Sequence, residues 1–226
     1  SGWGKRGPVG TALKASDRGN LLGTLICRSK DGGRSWERSG PVAAPPGRPG
    51  IVPFGDIVRL PNGQLGVCFY SSIRRRSDNG DCSTYFYISP DDGRTWAVGG
   101  VIREGDTDET TPVVLPNGHL LAAARTGNDQ HLELFVSEDS GVTWCNSGPV
   151  TLAMQIPGHL LMLKDGRLLL SYGIRNKGLY GVGVRVSADQ GQTWGPPRIL
   201  ISLNLREPSC GPAFDVGYPS SVQSED

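Results

Sequence analysis

The sequence is poor in the groups that build metal sites and disulfide frameworks. Its 226 residues include five cysteines (Cys27, Cys68, Cys82, Cys145 and Cys210) and three histidines (His119, His131 and His159). The cysteine number is odd, no CxxC spacing occurs, and the histidines are scattered without HExxH-type spacing. A disulfide framework or a zinc site is therefore not expected. Most of the cysteines read as buried small apolar residues. A Cys68–Cys82 bridge across a long loop is conceivable but disfavoured. Each histidine reads as a turn or surface residue rather than a metal ligand. No run approaches the roughly 18 consecutive apolar residues of a membrane-spanning helix, so no span is expected. Charge of one sign is also lacking: the net charge is +1 and no large basic or acidic block occurs. Neither nucleic acid nor a membrane surface is an expected partner. The one basic cluster, Arg74-Arg75-Arg76, reads as part of a long solvated loop. No signal-peptide pattern is present, so the compartment is not directly legible.

What the chain has in excess is turn residues. Its 33 glycines and 17 prolines are roughly twice and one and a half times the usual shares. They fall between short apolar runs with no G-X-Y period, the pattern of many short strands joined by tight turns. With 37% hydrophobic residues, the composition fits one soluble all-β domain.

Four segments repeat. They read Ser29-Lys-Asp-Gly-Gly-Arg-Ser-Trp36, Ser89-Pro-Asp-Asp-Gly-Arg-Thr-Trp96, Ser137-Glu-Asp-Ser-Gly-Val-Thr-Trp144 and Ser187-Ala-Asp-Gln-Gly-Gln-Thr-Trp194, or S-x-D-x-G-x-[ST]-W, with tryptophans 60, 48 and 50 residues apart. Ser and Asp side chains close such a turn by bonding backbone N–H groups. Gly supplies a positive φ, and Trp supplies an apolar body to pack under the turn. The Asp residues therefore read as structural. A second motif recurs in phase: Leu60-Pro-Asn-Gly-Gln-Leu65, Leu115-Pro-Asn-Gly-His-Leu120 and Leu163-Lys-Asp-Gly-Arg-Leu168. Asn-Gly and Asp-Gly between apolar runs signal two-residue hairpins. Each unit thus reads strand, hairpin turn, strand, variable loop, strand, S-x-D turn, strand. Four antiparallel strands in about 50 residues make one propeller blade, which must bury its faces against neighbouring blades.

The S-x-D-x-G-x-[ST]-W repeat is identified as the Asp box, or BNR repeat, of the sialidase superfamily. The resemblance covers nearly the whole chain and implies a β-propeller, six-bladed in that family. Six blades would need roughly 300 residues. The chain is therefore expected to be a single propeller domain cut at both ends, with approximate blades 1–50, 51–105, 106–154 and 155–205 and a partial fifth over 206–226. A closed four-bladed ring is the alternative, and the unpaired final segment argues against it.

Within this resemblance individual residues acquire expected roles. Asp108-Glu-Thr-Thr-Pro-Val-Val-Leu-Pro-Asn-Gly-His-Leu-Leu-Ala-Ala-Ala-Arg125 is similar to the sialidase pattern in which a Glu assists the nucleophile and an Arg grips the sugar carboxylate, here Glu109 and Arg125. Asp17 precedes the first Asp-box aspartate, Asp31, by 14 residues, about the family's distance for its acid/base Asp. Asp215-Val-Gly-Tyr-Pro-Ser-Ser-Val222 resembles the segment carrying the nucleophilic Tyr, which makes Tyr218 that residue. Arg175, after its own hairpin, is the candidate for a second carboxylate-binding Arg. The family's Phe/Tyr-Arg-Ile-Pro segment, which bears its first such Arg, has no counterpart here.

These residue types suit one another chemically. Sialic acid carries a carboxylate beside its anomeric carbon, which would repel a carboxylate nucleophile; a phenol avoids that if a base takes its proton. The planar fork of Arg matches the substrate carboxylate. An Asp can protonate the leaving oxygen and then activate water. The scheme needs no metal or organic cofactor. The expected function is retaining exo-hydrolysis of a terminal α-linked sialic acid or related acidic sugar, with an acidic glycan as the partner and secretion or a periplasmic location implied by the family. Two alternatives stay open: a non-catalytic Asp-box propeller that binds glycans or proteins, and a glycosidase for another sugar. The bland readings also stay open, Asp17 as a turn residue and Tyr218 as a strand residue. The enzymatic reading requires Asp17, Glu109, Arg125, Arg175 and Tyr218 to converge near the propeller axis.

Overall fold

The computed structural model describes residues 23–72, 82–127, 131–203 and 217–225. Asp17, the Arg74–Arg76 cluster and Cys210 lie outside them. All regular elements among the described residues are strands. A two-stranded sheet pairs β1 (Leu25–Arg28) with β2 (Glu37–Pro41). Three four-stranded antiparallel sheets follow, each with its strands in chain order. The first contains β3 (Val52–Arg59), β4 (Leu65–Ser72), β5 (Cys82–Ser89) and β6 (Ala97–Arg103). The second contains β7 (Thr107–Val114), β8 (Leu120–Thr126), β9 (Leu132–Ser137) and β10 (Cys145–Pro149). The third contains β11 (Gly158–Met162), β12 (Leu168–Ile174), β13 (Gly181–Ser187) and β14 (Arg198–Ser202). This is the up-and-down meander of a sialidase-like β-propeller. The leading strands lie side by side, β3 and β11 both against β7. Beyond β14, residues 217–225 run as an extended segment.

Hairpin and Asp-box turns alternate between the strands, and the Asp boxes close by one pattern of bonds, except that in the last the Gln192 N–H reaches the Asp189 carbonyl instead of its carboxylate. In the box between β9 and β10, Ser137 Oγ accepts the Gly141 N–H at 2.8 Å and donates to Asp139 Oδ1 at 2.9 Å. Asp139 Oδ1 also accepts the N–H groups of Val142 and Thr143, and Thr143 Oγ1 donates to Asp139 Oδ2 at 2.6 Å. The Trp144 indole N–H closes the turn on the Gly141 carbonyl at 3.0 Å. These donors hold the Asp139 carboxyl at about 2, with the Thr143 hydroxyl contributing most. Two successive residues, Ser140 (φ 62) and Gly141 (φ 92), are left-handed. At Gly141 a Cβ would also overlap the Phe86 ring of the preceding sheet.

The core lies between sheets. Strand alternation sends Leu120, Ala122 and Ala124 of β8 into a cluster with Cys68, Phe86 and Ile102 of the preceding sheet. It sends Leu121 and Ala123 of the same strand against Leu168, Leu170 and Tyr172 of the next. A third cluster joins Val67, Phe69, Tyr85 and Tyr87 to Ile26. The tryptophans seal these contacts: Trp144 meets Phe86 edge-on with ring centroids 5.4 Å apart. Trp96 and Trp194 pack in the equivalent places, whereas Trp36 is 62% exposed.

Two expectations are corrected. Cys68 and Cys82 are buried free thiols, but Cys27 and Cys145 are exposed and also free, so apolar burial accounts for only half of these four. His159 is neither a turn nor a surface residue: it sits on β11, 5% exposed.

Candidate functional site

Two consecutive carboxylates reach the same guanidinium because β7 is irregular. Thr107 pairs with Thr126 and Thr110 with Ala124, so Asp108 and Glu109 on β7 together oppose the single Arg125 of β8. This is a β-bulge, which re-aims side chains that strand alternation would send to opposite faces. Arg125 Nη1 donates to Glu109 Oε2 at 2.7 Å, and its Nε lies 3.6 Å from Asp108 Oδ1. Asp108 Oδ1 also accepts the Glu109 N–H at 2.7 Å. The hydroxyls of Thr84 and Thr110 both donate to the Asp108 carbonyl, which pins the bulge from below.

The other oxygen of Glu109 is bonded from far along the chain: Tyr218 Oη donates to Glu109 Oε1 at 3.0 Å. Arg175, just past β12 and 5% exposed, stacks its guanidinium over the Tyr218 ring, 5.3 Å from the centroid. The Phe54 ring of β3 stands on another side of Tyr218, with centroids 6.4 Å apart. Tyr218 itself is half exposed. The structure thus brings Glu109, Arg125, Arg175 and Tyr218 into one cluster. Asp17 lies outside the described residues.

Burial and charge set the protonation of this cluster. Burial pushes the Asp108 carboxyl up to about 6; Arg125 opposes the rise and the neighbouring Glu109 adds to it. Burial works against the charge of Arg125, but Asp108 and Glu109 outweigh it and hold the guanidinium protonated. The Tyr218 phenol lies above its ordinary value, first because it is partly buried, with Glu109 adding to the rise and Arg175 opposing it. It is therefore a neutral phenol at rest, and its proton already points at a carboxylate. The Tyr70 phenol of β4 is raised to about 12 by burial, with Glu109 and Asp108 adding to the rise, so it too stays neutral.

Asp108 is a site residue that sequence reasoning did not single out. Asp108 adjoins Glu109, but strand alternation predicts that neighbours diverge, and nothing in the residue types announces the bulge. No group of three or more His, Cys, Asp or Glu side chains among the described residues is arranged to hold a metal ion.

Known proteins with this architecture include enzymes. A sialidase from Micromonospora viridifaciens is 26% identical over 203 residues, which cover 80% of this chain and 30% of that protein. A protein of unknown function from Dyadobacter fermentans superposes with a TM-score of 0.65 at 27% identity, over 80% of this chain and 53% of its own. The Hadza microbial sialidase Hz136 superposes with a TM-score of 0.59 at 22% identity, over 75% of this chain and 39% of its own. The chain therefore spans between about a third and about a half of the length of these relatives. The model of the BNR repeat-like domain matches residues 9–226. Repeats, meander and match agree: the chain belongs to the BNR repeat-like domain family of the sialidase superfamily.

Proposed function

We propose that this chain carries the active site of a retaining exo-glycosidase that releases a terminal α-linked sialic acid or a related acidic sugar. The observation that carries the proposal is the Tyr218 Oη–Glu109 Oε1 hydrogen bond of 3.0 Å, flanked by Arg125 and Arg175. A phenol bonded to a carboxylate and set among guanidinium groups is costly to build for packing alone, because buried charges must be paired to be tolerated.

In this reading Arg125 and Arg175 hold the sugar carboxylate beside the anomeric carbon. Glu109 takes the Tyr218 proton as the phenolic oxygen attacks that carbon, so the nucleophile becomes anionic only as its new bond forms. Asp17 protonates the departing glycosidic oxygen. The same carboxylate then draws a proton from water, which attacks the sugar–tyrosine bond and returns the phenol. A neutral nucleophile avoids the repulsion that a second carboxylate would meet at this substrate. The sialidase and glycosidase relatives support a general glycosidase kind for this chain.

The test is fluorophore release from an aryl α-sialoside and from an uncharged aryl α-L-arabinofuranoside. It compares the parent chain with Tyr218→Phe and Asp17→Ala. Release from the sialoside alone is expected, with a fall of about a hundredfold or more in each variant. Release only from the uncharged glycoside would move the substrate class. A folded parent that binds glycans but hydrolyses neither would make the chain a binding propeller.

A further inference from the structure

Below Tyr218 a second polar cluster crosses the leading strands. The β3 bulge, where register shifts between Phe54 and Val58, carries Asp56 toward β11. There the His159 Nε2 atom lies 3.0 Å from Asp56 Oδ2, between residues 103 apart in the chain. The other ring nitrogen, Nδ1, accepts the backbone N–H of Ser221 at 3.3 Å. A backbone N–H can only donate, so Nδ1 carries no proton; Nε2 does, and donates it to Asp56. The ring is thus a neutral imidazole with both nitrogens engaged. Ser171 of β12 completes the cluster: its hydroxyl is 2.9 Å from Ser221 Oγ.

Ser221 lies three residues beyond Tyr218, and Pro219 stiffens the link by fixing its own φ. On the other side, Gly217 (φ 80) packs so closely on the backbone of Gly173 in β12 that no Cβ would fit. Tyr218 is therefore held at both ends. The upstream hold is backbone contact; downstream, the Ser221 N–H bond to His159, together with the Ser171–Ser221 hydroxyl pair, is the anchor that lies nearest Tyr218, and Lys164 bonds Gln223 and Ser224 farther along. Glu109 and Arg175 touch the side chain but do not fix the segment that bears it.

We propose that His159, oriented by Asp56, is a positioning residue that clasps residues 217–225 through Ser221 and so aims the Tyr218 hydroxyl at Glu109. The idea rests on Tyr218 being the nucleophile, and it assigns His159 no contact with substrate. Its consequence is kinetic. A displaced phenol still allows the sugar to bind on Arg125 and Arg175 but misses the reacting geometry, where an error near 1 Å costs about a hundredfold in rate.

Two amides separate the halves of the clasp. In His159→Asn the amide oxygen falls near the Nδ1 position and can still accept from Ser221. In His159→Gln the amide nitrogen falls near the Nε2 position and can still donate to Asp56, but the Ser221 bond is lost. Each is made in the full chain with 3-fluorotyrosine incorporated, and the residue-218 resonance is identified by its loss in Tyr218→Phe. In His159→Gln the expected results are a displaced or broadened 218 resonance and a kcat at least tenfold lower, with KM within threefold of the parent. His159→Asn is expected to keep both the resonance and kcat within threefold. Asp56→Ala, at an exposed position where folding is not at stake, is expected to shift the resonance by releasing the ring tautomer. An unmoved 218 resonance in both His159→Gln and Asp56→Ala, or equal effects of Asn and Gln, would overturn the clasp. An inactive parent would instead remove the nucleophile reading, and the fluorine resonance would still decide whether His159 holds Tyr218.

Discussion

At Asp108 burial and charge pull in opposite directions, and burial prevails. Its folded value of about 6 lies above the ordinary 3.8. Between those values the folded protein keeps a proton that the unfolded chain has released. The contribution of this group to stability is therefore full below about pH 4 and declines as pH rises through about 6. Asp108→Asn cannot ionise and should abolish that decline. In urea titrations the parent is expected to lose on the order of 2 kcal/mol relative to the variant between pH 4 and pH 7. The same carboxyl flanks Arg125, so lowering the pH also leaves the site more positive. Glu109 and Arg125 were legible in the sequence because a hairpin turn at Asn117-Gly118 places them on paired strands at a familiar spacing. Asp108 was not, because only a break in strand register brings it to the same guanidinium.

The Asp boxes were legible as elements because their bonds close within eight residues, and side-chain chemistry alone dictates them. What sequence did not reveal is that the residue before the shared Gly of each box is also left-handed; Gly32, Asp92, Ser140 and Gln190 fill that place without a common residue type. The pH response of these turns is opposite in sign to that of Asp108. The Asp139 carboxyl is depressed to about 2 by Thr143 and the turn N–H groups. Its contribution is present above about pH 4 and is lost as pH falls through 2. In Asp139→Asn the amide still accepts from the backbone but no longer receives the Thr143 hydroxyl with a full charge. Acid unfolding followed by tryptophan fluorescence should show a weaker dependence on pH between about 4 and 2 for this variant than for the parent.

Across the whole molecule stability resides between sheets. Phe86 has no exposed surface and packs under Trp144 of the next sheet. Phe86→Ala is expected to cost about 3–5 kcal/mol in guanidinium unfolding. Val222→Ala, at a side chain 90% exposed, should change stability by less than about 0.5 kcal/mol. The repeat made sheet count and strand order readable, since each unit is local. Contacts that cross the molecule were not readable: the His159–Asp56 pair joins residues 103 apart, and no spacing rule reaches that far. Tyr218 was found only through resemblance, for the same reason. Its bond to Glu109 spans 109 residues, and that separation has a consequence for how the protein comes into being. A ribosome delivers Glu109, Arg125 and Arg175 well before Tyr218. On the proposed chemistry, the nascent chain can present a cradle for an acidic sugar while remaining chemically silent. Turnover begins only when the segment bearing the phenol docks, so the onset of hydrolysis during synthesis would time that docking.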